Sequence, residues 1–336
     1  MTVSVPASQR ASEHEEIKRI RWAEHALNNG LIFSATYHGV SRIPERLSYG
    51  IGKLGTWLAY KTMRRVTSAL IANLHEVFPG LSEEQLSSLA LLTYRSYAYD
   101  TIDFIRSLSQ SPDELARKVT DLDRAIFDRL LGEGKGILLV AAHFGSWELG
   151  AVIVRKLLGY PLTMVAMAEP SPAVNRIRSD MRTSLGIELL EVRRGIDTPL
   201  QIRRQLAENR IVAMLLDRHL GRDHVAVRFC DARAHFLRTP ALLSYLTGAP
   251  MLPAWVVRDA DGRFRCMFDE PVYVPRDGDR DATIAQATQK MAAHLETKIR
   301  EYPHLWYQFY PFWETQPSDA ASEEARAPLK NVRRTP

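Results

Sequence analysis

Five short apolar runs govern what this chain can fold into. "ILLVAA" (137–142), "LTMVAMA" (162–168), "IELLEV" (187–192), "IVAMLL" (211–216) and "MLPAWVV" (251–257) are separated by amphipathic stretches near 147–158, 171–185, 198–208 and 238–247. Runs this short are strand-sized, and apolar residues at successive positions mean burial on both faces. Alternation of such strands with helices predicts an α/β fold, a largely parallel central sheet with helices on both faces. "RFRCMFDEPVYV" (263–274) alternates polar and apolar residues instead, which predicts an edge strand antiparallel to its neighbour. A helix over 282–300 and an aromatic stretch, "HLWYQFYPFW", close the fold.

Upstream of the runs the texture is helical. At "RLSYGIGKLGTWLAYKTMRRVTSALIANLHEVFPG" (46–80) apolar residues recur at Leu47, Ile51, Leu54 and Leu58, then at Val66, Leu70, Leu74 and Val77, among Lys53, Lys61, Arg64 and Arg65. One or two amphipathic basic helices of this kind lie either on a membrane surface or against a core with the basic side solvated. Pro79 and Gly80 end the pattern, and Ser82 with Gln85 three positions on, flanked by Leu81 and Leu86, predicts a capped helix running through Ile105. The expected organisation is a disordered tail over 1–15, a helical region with a membrane-contacting segment over 16–130, an α/β core over 131–313 and a disordered tail over 314–336. The longest apolar run falls short of the roughly 18 residues that a spanning helix needs.

"GILLVAAHFGSWELG" (136–150) is where chemistry is expected. In a parallel sheet, ligands bind beyond the carboxyl ends of the strands, and the first run delivers His143 to that edge. Gly145 permits a tight turn and close backbone approach, and Glu148 falls in the first turn of the next helix, within reach of the imidazole. A carboxylate that fixes the tautomer and steadies the imidazolium is what a histidine base requires. Spacing by itself leaves His143 either such a base or a strand-end capping group. Ser146 is not a nucleophile-elbow serine, because Phe144 stands where that motif has glycine. His219, His224 and His235, with Asp217, Asp223 and Asp231, match no metal-site spacing, so no metal is expected.

The net charge of +5 over 336 residues favours anionic partners. The sequence carries neither an aromatic-rich RNA motif nor a zinc-finger pattern, so nucleic acid is not among the expected ones. Two cysteines and no signal-peptide pattern place the chain in a reducing compartment.

"HFGSWE" resembles the His, four residues, then Asp or Glu motif of the lysophospholipid (glycerolipid) acyltransferase superfamily. The closer resemblance is to its lipid A late acyltransferase branch, which includes phosphatidylinositol mannoside acyltransferases. Companion blocks strengthen the likeness. "NRIRSDMRTSLG" sets Arg182 four residues before Gly186, "IVAMLLDRHL" supplies Asp217 at a strand end, and "RTPALLSYLTGAPMLPAW" is similar to a later family block. "RIPERLSYGIGKLG" and "NLHEVFPGLSEEQ" resemble the family's amino-terminal region, so the likeness runs from about residue 35 to 313. Two positions depart from the pattern: Ser146 stands where the family often has Asn, and "LIFSATYHGV" is too short for the membrane-spanning segment of many members, which favours peripheral attachment.

The resemblance implies an O-acyltransferase on the cytoplasmic face of a bacterial inner membrane. An acyl thioester on acyl carrier protein or coenzyme A, with no further cofactor, would meet a hydroxyl of a membrane glycolipid, lipid A precursor or other lipid at His143. Glu148 would orient His143; Arg182 would hold Glu148 or a phosphate, and Asp217 is a second candidate partner for the imidazole. Gly145, Ser146 and Trp147 would line the substrate, with backbone N–H groups near Gly145 as oxyanion donors. Arg193 and Arg194, with Arg203 and Arg204, either line a phosphate site or form solvated faces. The alternative on the same fold is a lipid or thioester hydrolase in which His143 activates water.

Overall fold

Each of the five apolar runs forms a strand. The computed structural model describes residues 30–167, 171–192, 197–219 and 223–313. The expected disordered tails, residues 16–29 of the helical region, and Arg193 and Arg194 lie outside the described residues. In chain order the elements are α1 (Gly30–Val40), α2 (Glu45–Thr62), α3 (Arg64–Val77), α4 (Glu83–Ser109), α5 (Pro112–Ala116), β1 (Val119–Thr120), α6 (Arg124–Leu131) and β2 (Ile137–Ala141). Next come α7 (Trp147–Ile153), which continues as a π-helical turn to Leu158, β3 (Leu162–Ala166), α8 (Pro172–Ser184), β4 (Glu188–Glu191), α9 (Asp197–Ala207) and β5 (Ile211–Leu215). The chain ends in β6 (His224–Phe229), β7 (Ala232–Leu237), α10 (Thr239–Thr247), β8 (Met251–Arg258), β9 (Phe264–Phe268) and α11 (Arg280–Glu301).

The main sheet has the order β1-β9-β8-β2-β5-β3-β4, with β2 near its middle. Every neighbouring pair is parallel except β8 with β9. Successive β2 side chains point to opposite faces. Leu138 and Val140 join a buried cluster with residues of α3, α4, α9 and α11, whereas Ile137 and Leu139 join a second cluster with residues of α6, α7 and α8. Both faces are therefore covered by helices, and the continuous apolar reading of β2 follows from that double burial.

Two strand expectations need correction. β9 is antiparallel to β8 as its alternation predicted, but it is not the edge, because the two residues of β1 pair with its outer side. The hairpin β6–β7 was not anticipated. Its tight turn holds Cys230 and Asp231 at φ 51° and 64°, and neither has the Gly or Asn that usually flags such a turn.

The basic segment divides in two. Val66, Leu70, Leu74 and Val77 of α3 are 0–2% exposed, so this half is a core helix and not a membrane-facing one. In α2 the same periodicity points outward: Leu47, Ile51, Leu54, Trp57 and Leu58 are each half or more exposed. α2 rests on α4 through its other side, where Gly52 allows close approach; a Cβ there would sit 3.0 Å from the Ile102 Cδ1. Among the described residues no helix is long and apolar enough to cross a membrane.

α4 begins with the predicted capping box, Ser82 Oγ accepting from the Gln85 N–H at 3.2 Å and the Ser82 N–H donating to Gln85 Oε1 at 2.8 Å. Midway along, α4 buries two acids, Asp100 and Asp103. Asp103 accepts from Tyr49 of α2 and pairs with Arg258 of β8 at 3.0 Å.

Candidate active site

β2 and β5 lie side by side in register, Ala141 opposite Leu215, so the residues that follow them emerge together at the carboxyl edge of the sheet. These are His143 and Asp217. The imidazole Nδ1 stands 2.9 Å from Asp217 Oδ1, and the His143 main-chain N–H donates to both carboxylate oxygens at 3.1 Å. Asp217 is fully buried. Its Oδ2 also accepts from Trp306 Nε1 at 3.2 Å and from Gln308 Nε2 at 2.5 Å. A carboxylate that accepts from Nδ1–H leaves the Nε2 lone pair as the basic site.

The electrostatics suit a base. Burial pushes the imidazole below its ordinary value of 6.5 and the Arg218 charge adds to that, while Asp217 pulls the other way, so His143 is neutral near pH 7. Burial raises the proton affinity of Asp217, but the His143 charge and hydrogen bonds outweigh it and hold the carboxyl below the usual range.

Glu148, expected to orient the imidazole, is engaged elsewhere. Its Oε1 pairs with Arg178 Nη1 at 3.0 Å and with Arg182 Nη2 at 3.5 Å, all three side chains being less than 15% exposed. The carboxylate lies in the first turn of α7, and the two guanidiniums come from one face of α8, four residues apart. The trio therefore ties α7 to α8. Its charge reaches His143 only through space. The choice left open for Arg182 falls on Glu148 in this structure.

Gly145 has φ +57° and a Cβ there would lie 2.3 Å from the Val256 carbonyl oxygen, so only glycine fits the turn. The expected oxyanion donors are already committed: the N–H groups of Gly145, Ser146 and Trp147 donate to the carbonyls of Leu305 (2.8 Å), Val256 (2.8 Å) and Gly145 (3.0 Å). Ser146 is buried and donates to Asp100 Oδ1 at 2.5 Å, which places it behind the turn rather than on the substrate side. Trp147 stays beside the imidazole with ring centres 5.4 Å apart.

Sequence reasoning missed the strap at residues 304–313. It runs antiparallel to the turn after β2, Gly145 N–H to Leu305 O and Tyr307 N–H to His143 O, both 2.8 Å. Tyr307 reaches Asp100 Oδ2 at 2.5 Å, and burial pushes Asp100 up to about 7. Asn73 of α3 clamps the strap, donating to the carbonyls of Gln308 (2.9 Å) and Tyr310 (2.7 Å) and accepting from the Phe312 N–H at 3.0 Å. One signal was present in the sequence: Gln308 is a single amide inside an aromatic run. Among the described residues no group of three His, Cys, Asp or Glu side chains is arranged to hold a metal ion.

Comparison with known proteins gives a consistent result. Residues 25–315 match the family model of bacterial lipid A biosynthesis acyltransferases. A phosphatidylinositol mannoside acyltransferase of Mycolicibacterium smegmatis is 25% identical over 288 residues, which covers 85% of this chain and 92% of the relative. Another of the same name from Mycobacterium tuberculosis (strain CDC 1551 / Oshkosh) is 28% identical over 269 residues, covering 78% of this chain and 79% of the relative.

Proposed function

The chain belongs to the bacterial lipid A biosynthesis acyltransferase family, and from that membership we propose that it moves a fatty acyl group from an acyl thioester to a hydroxyl of a membrane glycolipid or lipid A precursor. The thioester is carried by acyl carrier protein or coenzyme A and is the sole co-substrate. The observation that carries the mechanism is the 2.9 Å bond between His143 Nδ1 and Asp217 at the sheet's carboxyl edge.

His143 Nε2 takes the acceptor's hydroxyl proton as that oxygen bonds to the thioester carbonyl carbon. The resulting tetrahedral oxyanion collapses, the C–S bond breaks, and the imidazolium returns the proton to the leaving thiolate. Asp217 holds the tautomer throughout and balances the transient imidazolium charge. Glu148, Arg178 and Arg182 keep the turn and the following helix in place. The relatives' name, phosphatidylinositol mannoside acyltransferase, supports a glycosylated lipid as acceptor.

Access to that acceptor is through the membrane surface. In this reading the exposed apolar stripe of α2, with Lys53 and Lys61 beside it, lies in the interface on the cytoplasmic side of the inner membrane, so attachment is peripheral. The deciding experiment measures acylated lipid and free fatty acid by mass spectrometry, with palmitoyl-coenzyme A and a bacterial lipid extract. His143→Ala should lose about 100-fold or more of the transfer rate with its fold intact. Retained transfer refutes the mechanism, and free fatty acid as the main wild-type product would make the enzyme a hydrolase.

A further inference from the structure

Gln308 is completely buried, and its side-chain amide is oriented from both ends. Nε2 donates to Asp217 Oδ2 at 2.5 Å, while Oε1 accepts from Arg218 Nε at 3.4 Å. The main chain at the same residue is fixed by Asn73. A neutral group thus stands between a buried carboxylate and the guanidinium of the very next residue. Arg218 is further held by the Tyr307 carbonyl at 3.0 Å and lies over the Tyr310 ring, 5.1 Å from its centre, so the strap supplies several of its contacts.

We propose that Gln308 is a positioning residue for this site: its amide keeps the Asp217 carboxylate turned toward the His143 imidazole and keeps the Arg218 guanidinium from pairing with that carboxylate. Without it, one Asp217 oxygen loses its amide partner, and Arg218, whose charge already acts on that carboxylate, can turn toward it; a bidentate arginine pair would outcompete a single imidazole N–H. The carboxylate would then be neutralised as a support for the imidazolium. Other charged groups around the imidazole are Glu148 of α7, whose charge is shared with Arg178 and Arg182 of α8, and Asp100 of α4 behind Ser146 and Tyr307. None of these touches Gln308 in the contacts described above, so a change at residue 308 acts through Asp217 and Arg218.

The inference rests on His143 as the base, but its test does not depend on the substrate. Histidine-labelled full-length chain is titrated by NMR, with His143→Gln identifying the resonance. Gln308→Met, close in size and unable to bridge, should lower the His143 pKa by about one unit relative to wild type. In an Arg218→Met background the same change should move it far less, because the competing cation is gone. An unshifted or raised value in Gln308→Met, or an equal shift without Arg218, overturns the proposal. If Gln308→Met does not fold, Gln308→Asn serves: its shorter amide cannot span both partners. The His143 pKa should again fall, and an unchanged or raised value overturns the idea. A shifted titration together with full acyl transfer by His143→Ala would bear out the effect of Gln308 on the Asp217–His143 pair and refute the proposed function.

Discussion

Replacing Asp217 by asparagine keeps the side chain's size and removes its charge, and the donors around it fix the outcome. The carboxylate accepts from the His143 N–H, His143 Nδ1, Trp306 Nε1 and Gln308 Nε2. An amide can meet only part of that set. With its oxygen toward Nδ1, its NH2 faces the Trp306 and Gln308 donors, and each buried donor left unmet costs about 1–3 kcal/mol. Turned the other way, it satisfies Trp306 and Gln308 but presents NH2 to Nδ1. The imidazole must then carry its proton on Nε2, where it can no longer accept one. The second arrangement costs less in stability and removes the base. The transfer rate should therefore fall about 10,000-fold, the scale seen when the carboxylate of a Ser-His-Asp triad becomes an amide. The assay is acylated-lipid formation from palmitoyl-coenzyme A, with thermal unfolding to confirm the native fold. More than about a tenth of the wild-type rate, in a folded variant, would refute the tautomer-holding role assigned to Asp217.

The other predictions address separate parts of the molecule. Glu148→Gln strips the charge from a mostly buried trio and should destabilise by about 1–3 kcal/mol while reducing transfer less than Asp217→Asn does, which unfolding curves and rates together will show. Because His143 lies below its ordinary 6.5, the wild-type rate should rise with pH on the acid side and be level from about pH 7 to 8; a rate still climbing there contradicts the assignment. Trp57→Ser with Leu58→Ser should weaken binding to anionic liposomes and leave the melting temperature nearly unchanged, whereas Leu70→Ala in α3 should cost about 2–5 kcal/mol of stability. Asp100 binds its proton more tightly folded (about 7) than at its ordinary 3.8, so it costs stability as pH rises from about 4 to about 7, at most about 4 kcal/mol. Urea unfolding of Asp100→Asn should show a flatter pH dependence over that range than wild type.

The strands were legible because burial on both faces writes itself as uninterrupted apolar runs, and the carboxyl-edge position of His143 follows from that. Which carboxylate serves it was harder to see. Glu148 is five residues away along the chain and Asp217 is 74 away, yet strand pairing makes the distant one the neighbour. Helix periodicity could not separate α2 from α3 either, since an apolar stripe reads the same whether it meets a core or open surface. The strap escaped for a related reason: aromatic residues announce burial without saying what they are buried against, and Gln308 has meaning only beside Asp217. The hairpin was hidden because Cys230 and Asp231 take conformations that the sequence does not advertise.

The strap has a consequence for how the site comes into being. His143 and Asp217 belong to the middle of the chain, but the groups that finish the carboxylate's surroundings, Trp306 and Gln308, are synthesised after α11. Amino-terminal parts of a chain emerge and begin to fold first. A nascent chain that has formed β2 and β5 but not yet residues 306–308 would hold Asp217 without two of its donors, and the Gly145 and Tyr307 main-chain bonds to the turn would be missing as well. The surroundings of Asp217 are therefore completed late in translation, and a prematurely terminated product would keep most of the sheet while lacking the finished His143–Asp217 pair.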